Sequence, residues 1–354
     1  MITVNSDKLL KAACCNLAES FETNPAIDVN LSDGLTGTKQ IEMLGLTSSY
    51  LLITQENIPM VRGASQAYGL MFTPGTWIES IQITKGAGSV VNGYESISGQ
   101  INTELVKPLT DNAVFVNGYV NQNGRYELNT HFNRKLTDKL STGLYVHGNT
   151  RTQKEDDNND GFLDAPLGKQ INVMNRWQYQ DAEKGWVSFF NVRFLNDEKQ
   201  VGQVDFNPDT DKFTTNAWGS EIDTRRFDTS LKLGYVFPEL PFQSLGFQTS
   251  YSLHKQDSYF GFRTYDINHE SLYSNLIFNS IIGDTRNKFK TGITFAYDGY
   301  DELVSATDYS RVDNSVGAFM EYSYENLEKV SLTTGLRVDN HNRLGTFVTP
   351  SISH

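Results

Sequence analysis

Cysteine is almost missing from this chain: its 354 residues hold two, Cys14 and Cys15, side by side. Adjacent cysteines suit neither a zinc site nor an ordinary disulfide, whose Cα atoms sit farther apart, so both read as packing residues. No run of about 18 uninterrupted apolar residues exists either, which excludes a membrane-crossing helix. Cations are in deficit, with 30 Lys and Arg against 42 Asp and Glu and a net charge of −12. They form no stripe that could displace counterions from phosphates, which argues against a general nucleic-acid binder. The opening residues, MITVNSDKLLKAACCNLAES, lack the basic and long apolar regions of a secretory signal. An exported protein needs one, so the chain is expected to be a fragment. Neither a GxxxxGK loop nor a GxGxxG opening a helix is present. The six histidines, including His131, His147, His254 and His269, are dispersed, with none paired at metal-ligand spacing. Nothing assembles a catalytic set, and no enzyme is expected.

What is present is alternation. Hydrophobic content of 38% and a mean hydropathy of −0.43 would fit a soluble two-domain protein as well as a β-barrel, because barrel strands hide their apolar residues in a period of two. From Ser244 onward the period is plain: Phe247, Thr249, Tyr251 and Leu253 share one face, and Gln248, Ser250, Ser252 and His254 the other. It recurs from Phe289 to Asp298 and from Ser331 to Asp339, with weaker copies starting near Val114, Tyr126, Leu140, Asn175, Trp186, Phe227, Leu272 and Val316. That makes roughly eleven strands of about 9 to 15 residues, a length that suits tilted membrane-spanning strands better than a soluble sheet.

The connections alternate in kind. Short turns are expected at 137–139, 181–185, 238–242, 283–287 and 326–329, and mostly longer polar loops at 153–172, 203–219, 262–269 and 302–314. The short Asn123–Gly124 turn breaks the length rule but not the alternation. Short periplasmic turns opposite long external loops are the asymmetry of outer-membrane barrels. A soluble β-sandwich would alternate too. Strand length, loop asymmetry and apolar-face aromatics near strand ends, such as Trp186, Phe190, Phe194, Tyr235 and Tyr322, weigh against it.

Before Pro108 the texture changes. Leu9, Leu10, Ala13, Leu17 and Phe21 fall at helical spacing, and strand candidates follow at 27–31, 39–44, 50–54 and 78–84. The segment IESIQITKGAGSVVNGYESISGQIN, residues 78–102, has glycines where strands must turn tightly or approach another backbone. It also resembles the late plug segment of TonB-dependent outer-membrane receptors. Ile78, Glu79, Ile81, Ile83, Lys85, Gly86, Ser89, Gly93, Gly99, Ile101 and Asn102 match that pattern in order and spacing. The stretch from Gly335 to Ser353 is similar to a barrel strand pair of the family, and residues 36–46 to the plug strand before its usual Arg-Gly, with Leu44 in the arginine position. Gln55 to Pro59 stand where many members carry Asp-Gly-x-Pro, and these departures resemble a Bacteroidota branch.

The resemblance implies a mainly β chain: a small α+β plug domain at 1–108, truncated at its N-terminus, then the first half of a large antiparallel transmembrane β-barrel at 109–354. It further implies location in the cell outer membrane and active transport of a scarce nutrient, whether an iron-siderophore, a metal, cobalamin or a glycan. The implied partners are the TonB-ExbB-ExbD energy-coupling complex, outer-membrane lipid and the nutrient ligand. The competing function is a non-transporting barrel, an adhesin or structural protein, and an upstream signal peptide and coupling box would tell the two apart. Substrate-binding residues are not legible. Lys85, Gly86, Ser89, Gly93, Gly99 and Asn102 are read as the structural motif of the plug.

Two further features stay open. Asp156, Asn158, Asp160 and Asp164 occupy positions 1, 3, 5 and 9 of a calcium-type loop with Gly161 at its bend, but position 12 is Leu167 rather than a bidentate Glu. The loop is either an incomplete Ca²⁺ site or a solvated acidic external loop. His131 and His147 fall on polar, lumen-facing positions, in reach of a substrate or, more plainly, of solvent.

Overall fold

A computed structural model describes residues 2–5, 16–21, 27–33, 36, 38–326 and 330–353. Cys14, Cys15 and most of the expected N-terminal helix lie outside the described residues. The part inside is the short helix α1 (Leu17–Ser20), started by the Asn16 side chain, which accepts from Glu19 N at 3.1 Å. Leu17 and Phe21, two of the expected helical positions, are buried.

The N-terminal unit is built on a five-stranded sheet. Its strands are β1 (Ile2–Asn5), β4 (Leu51–Gln55), β5 (Ile58–Pro59), β6 (Ile78–Lys85) and β7 (Gly99–Leu105), in the order β1-β6-β7-β4-β5. The β4/β7 pair is parallel and the others antiparallel. A separate hairpin joins β2 (Asp28–Asp33) to β3 (Thr38–Glu42). Apolar alternation explains the assembly: Ile53, Ile81, Ile83 and Ile101 pack into one core with Leu17, Ile41 and Leu70. After Leu105 the chain turns at Lys107–Asp111 and starts a second, much larger sheet at Val114.

That sheet is an antiparallel meander whose neighbours in sequence are neighbours in space, ordered β8 through β20, with the two-residue β17 (Thr307–Asp308) paired to the end of β16. The strands are β8 (Val114–Val120), β9 (Arg125–Lys135), β10 (Leu140–Arg151), β11 (Leu167–Asp181), β12 (Trp186–Gly202) and β13 (Gly219–Val236). There follow β14 (Ser244–Phe260), β15 (Arg263–Ile282), β16 (Asp284–Val304), β18 (Arg311–Asn326), β19 (Val330–His341) and β20 (Gly345–Ser353). The fold is mainly β, with a small plug-like N-terminal domain and a large antiparallel wall.

Three expectations need correction. The meander holds twelve strands besides β17 where alternation led to roughly eleven; the added one is β20, the second member of the strand pair that Gly335 to Ser353 resembles. Strands reach 20 and 21 residues in β15 and β16, longer than expected. Consequently 262–269 is not a loop: a turn at Gly261 and Phe262 leads straight into β15, and most of 302–314 likewise belongs to β16, β17 and β18. The hydrogen-bond ladder continues there, from Tyr265↔Val304 inward, but the sidedness is lost: Asp266 and Asn268 fall on the outward face while Ile267 turns inward and is buried. The apolar alternation that reveals a strand in sequence is lost before the strand ends.

The wall is apolar outside and polar inside. Ile171, Phe194, Ile293, Val316, Met320 and Leu336 are exposed, and their sequence neighbours Asn172, Arg193, Thr294, Ser315, Glu321 and Arg337 are buried. Aromatic rings pair across strands on the outer face, Trp186 with Tyr235 at 4.8 Å between centroids and Phe194 with Phe227 at 5.0 Å. An outward apolar band with aromatic residues is what a lipid-facing barrel presents. Among the described residues no helix is long and apolar enough to cross a membrane.

Candidate functional site

The small sheet lies against the polar inner face of the wall, and three of its segments are bonded to that face. The first is the β4/β5 hairpin. Gln55 pairs with Ile58, leaving Glu56 and Asn57 as the two turn residues, both left-handed with φ of 53° and 64°. Such a two-residue turn matches the twist of its strands but is costly without glycine, roughly 1–2 kcal/mol for an L residue. What holds it is side-chain chemistry. Asn102 on β7 accepts from Asn57 N at 2.7 Å and from Thr54 Oγ1 at 2.9 Å. From the wall, Arg176 on β11 forms a buried ion pair with Glu56. Lys232 on β13 donates to the Glu56 carbonyl at 2.9 Å, and Gln248 on β14 donates to the Asn57 carbonyl at 3.2 Å.

The second segment is the loop from Met60 to Phe72. Arg62 pairs with Asp298 on β16 and lies 3.7 Å from Glu95. Burial, the largest influence on Arg62, would lower its pKa, but Glu95 and Asp298 outweigh it and keep the guanidinium charged. His269 Nε2 lies 2.9 Å from the same Asp298. The His269 ring stacks on Tyr300 at 4.3 Å, and the Arg311 guanidinium sits 3.9 Å from the Tyr300 ring centroid. Gly63, with φ of 56°, permits this approach: a Cβ there would come 2.6 Å from both His269 and the Tyr300 hydroxyl. At the far end of the loop the Phe72 carbonyl accepts from Asn172 at 2.7 Å and from Arg193.

The third is the glycine-rich motif singled out in sequence. Lys85 closes β6 opposite Gly99. Gly86 turns the chain with its N–H donated to the Ser98 carbonyl at 2.8 Å. Ser89 caps the short turn that ends at Gly93 and donates to Glu321 on β18 at 2.6 Å. Val90 and Val91 offer their carbonyls to Arg337 at 3.2 Å and Asn275 at 3.0 Å. Asn102, by contrast, acts inside the sheet. The structure therefore separates the motif: Ser89 reaches the wall, whereas Lys85, Gly86, Gly93, Gly99 and Asn102 shape the plug around it.

The histidines are not solvated. His131 and His147 are each 2% exposed. His147 Nδ1 lies 2.8 Å from Asn129 Oδ1, and His131 Nδ1 lies 3.0 Å from Asp111 Oδ2, in the segment that links the two sheets. Burial, the largest influence on Asp111, would raise its pKa, but bonds from His131 and from Asn133 at 2.8 Å outweigh it and hold the carboxyl below its ordinary value.

In the acidic loop, carboxylates and amides are turned on the loop itself. Asp156 accepts from Asp160 N and Gly161 N, each at 3.0 Å, Asn158 Oδ1 accepts from Asp160 N at 2.9 Å, and Asp164 Oδ2 accepts from Asp157 N at 2.6 Å. Among the described residues no three His, Cys, Asp or Glu side chains gather at metal-binding distance. At the long-loop ends of β9 to β12 a cavity of about 330 Å³ opens between Asn16, Glu19 and Met71 on one side and Arg125, Arg151, Lys169 and Lys199 on the other. Asp164, Asp197 and Glu198 also line it, so the cavity carries charges of both signs where plug and wall meet.

Sequence reasoning missed the wall cations that do the holding: Arg176, Arg193, Lys232 and Arg337. A lone arginine on the polar face of a strand reads as solvated. The only signal for it was its inward register among uncharged residues, as in Asn172, Met174, Arg176, Gln178.

Comparison with known proteins agrees with this architecture. Residues 1–100 match the family model described as TonB-dependent Receptor Plug Domain. The whole fold is similar to the siderophore receptor PirA from Pseudomonas aeruginosa, with a TM-score of 0.71 at 17% identity over 99% of this chain and 58% of that one. It is similar to the ferric enterobactin receptor PfeA of the same organism in complex with enterobactin, with a TM-score of 0.77 at 14% identity over 99% and 59%. The copper transporter OprC gives a TM-score of 0.72 at 14% identity over 99% and 60%. The chain thus spans about three fifths of the length of the structures it matches.

Proposed function

We propose that this TonB-dependent receptor, a plug seated against a polar barrel wall, carries a scarce nutrient across the outer membrane by energised transport. The observation that supports the reading is the character of the plug–wall seam. It joins ion pairs and hydrogen bonds to Arg176, Lys232, Gln248, Asn275, Glu321 and Arg337 with three small apolar clusters, in which Phe72 meets Leu195 and Ile222, Trp77 meets Tyr145 and Met174, and Val90 meets Phe319. Water can replace the polar bonds one by one as a plug shifts, at a net cost of about 0.5–1.5 kcal/mol for a neutral bond and about 1.5–3 kcal/mol for one to a charged group, and the small apolar clusters leave far less surface to expose than a wholly apolar seam would. A wall of this kind confines the plug without welding it.

The work would come from outside the chain, through the TonB-ExbB-ExbD complex of the inner membrane acting on the plug. The nutrient is one of four classes: an iron-siderophore, a metal, cobalamin or a glycan. PirA and PfeA are siderophore receptors and OprC a copper transporter, which supports beginning with iron chelates and copper. The test is uptake of a panel of labelled iron chelates, copper, cobalamin and glycans by cells with and without the intact gene, each with and without a proton-motive-force uncoupler. The expected result is loss of uptake of one class on deletion, with the same loss on uncoupling. Equal uptake of every class in both strains would leave the chain as a non-transporting barrel, and uptake that survives the uncoupler would make it a passive one.

A further inference from the structure

A narrow cavity of about 60 Å³ lies between the plug segment Gln55–Arg62 and the inner faces of β12 to β15. Its charge does not balance. Arg226 donates through Nε to both oxygens of Asp228, at 2.9 and 3.0 Å. Glu56 is taken by Arg176, and Asp298 by Arg62 and His269. Arg193, which also lines the cavity, has only neutral acceptors: Asn172 Oδ1 at 2.9 Å and the Phe72 carbonyl. It stands opposite Asp228 in the β12/β13 ladder, yet that carboxylate has turned to Arg226. Arg193 is 6% exposed and Arg226 8%, so two buried guanidinium groups share one carboxylate.

Burying an uncompensated ion costs several kcal/mol even after the protein relaxes. Water in the cavity could satisfy the remaining N–H donors but would leave the charge in place. A guanidinium fork fits a planar or tetrahedral oxyanion better than any other partner. Ser230 and Ser252 line the same space and present hydroxyls that can donate to it. With about 10–15 Å³ needed for one water by this measure, the volume has room for one group of three or four oxygens.

We propose that this cavity is a binding site for a single small oxyanion, a phosphate- or carboxylate-type group, held by Arg193 and Arg226. The site is complete within the described plug and wall and stands independently of the transport reading. The anion comes either as the free ion or as the charged end of a larger molecule lodged behind the plug.

The experiment uses the full-length receptor purified in detergent. Crystals soaked in selenate, a tetrahedral oxyanion with anomalous scattering, should show a peak within hydrogen-bonding distance of both guanidinium groups. Equilibrium dialysis with labelled inorganic phosphate should give about one ion per receptor, bound about ten- to a hundredfold more weakly by Arg193→Gln, the loss of one charged hydrogen-bonding partner. Crystals grown without added oxyanion separate the sources: an isolated tetrahedral peak marks a free ion, and density running on from the site marks a larger molecule. A wild-type cavity holding only water after the selenate soak overturns the proposal, whether or not the variant folds, and so does undiminished phosphate binding by folded Arg193→Gln.

Discussion

In the plug, Ile41, Ile53, Ile81 and Ile101 turn inward and are at most 1% exposed; in the wall, Ile171, Ile293 and Ile352 turn outward and are 54%, 57% and 75% exposed. The same residue type, placed by the same period of two, ends on opposite sides of its sheet because the solvents differ. The plug folds in water and hides its apolar face in a core. The wall's apolar face meets lipid, so its polar face is what remains for the interior. The plug's largely polar outside and the wall's polar inside then meet, and the seam between them is rich in ion pairs and hydrogen bonds, with only small apolar clusters such as Phe72 against Leu195 and Val90 against Phe319. Two rules of burial, each ordinary, together yield an interface that can be hydrated.

The most severe way to break this arrangement is to strand one charge of the seam. Arg176→Met leaves the buried Glu56 carboxylate without its ion-pair partner and is expected to cost about 3–5 kcal/mol of plug docking, read by denaturant unfolding and by proteolysis of the plug in the full-length protein. Adding Glu56→Met should restore much of that stability, because an apolar pair replaces the ions. On the transport reading the double variant should nonetheless take up cargo more slowly than wild type. Full uptake by a stably docked double variant would show that a polar seam is not required.

Reversing the wall's outer face comes next. Ile293→Arg puts a charge in the apolar band and is expected to cost about 2–4 kcal/mol if the residue lies near the bilayer midplane, measured as refolding stability in lipid vesicles. The same change at the inward-facing neighbour Thr294 should cost less, and the difference between the two measures how strictly the wall is sided. Within the plug, Gly99→Ala would bring a Cβ to 2.2 Å from Met43 Sδ and 2.7 Å from the Thr84 carbonyl. The methionine can swing aside but the backbone cannot, so a loss of about 1–3 kcal/mol is expected by denaturation.

The smallest effect concerns the link between the two regions. The folded-state pKa of Asp111 is lowered, so its bonds to His131 and Asn133 add stability that is present above the ordinary carboxylate pKa and lost as pH falls through the depressed value. Asp111→Asn should therefore be less stable than wild type at neutral pH, with the gap closing only well into the acid range. A gap that closes between pH 7 and 6 would assign the dependence to another group.

Much of this architecture is legible in the amino-acid sequence. The wall's period of two, the turn chemistry at Asn123–Gly124 and Gly283, and the plug motif from Ile78 to Asn102 all specify local conformation directly. Long strands betray themselves only where one face meets lipid. At 262–269 and 302–314 polar and apolar residues no longer keep to separate faces, so extended strands look like loops. The seam is the least legible part, since Glu56 and Arg176 stand 120 residues apart and neither carries a local mark. The burial of His131 and His147 escapes notice for the same reason: a polar residue facing inward looks alike in sequence whether water or a plug covers it.

By itself, then, the sequence determined two sheets with opposite needs: a short one with an apolar core, and a long one apolar on one face and polar on the other. Those are decided by neighbours two residues apart, which any stretch of chain carries with it. Only the tertiary structure decided which wall residues grip the plug, that buried Arg193 and Arg226 have one carboxylate between them, and that Glu56 and Asn57 adopt a strained turn because Asn102, Lys232 and Gln248 bind it. Those depend on burial and on partners far along the chain, and no local pattern records them.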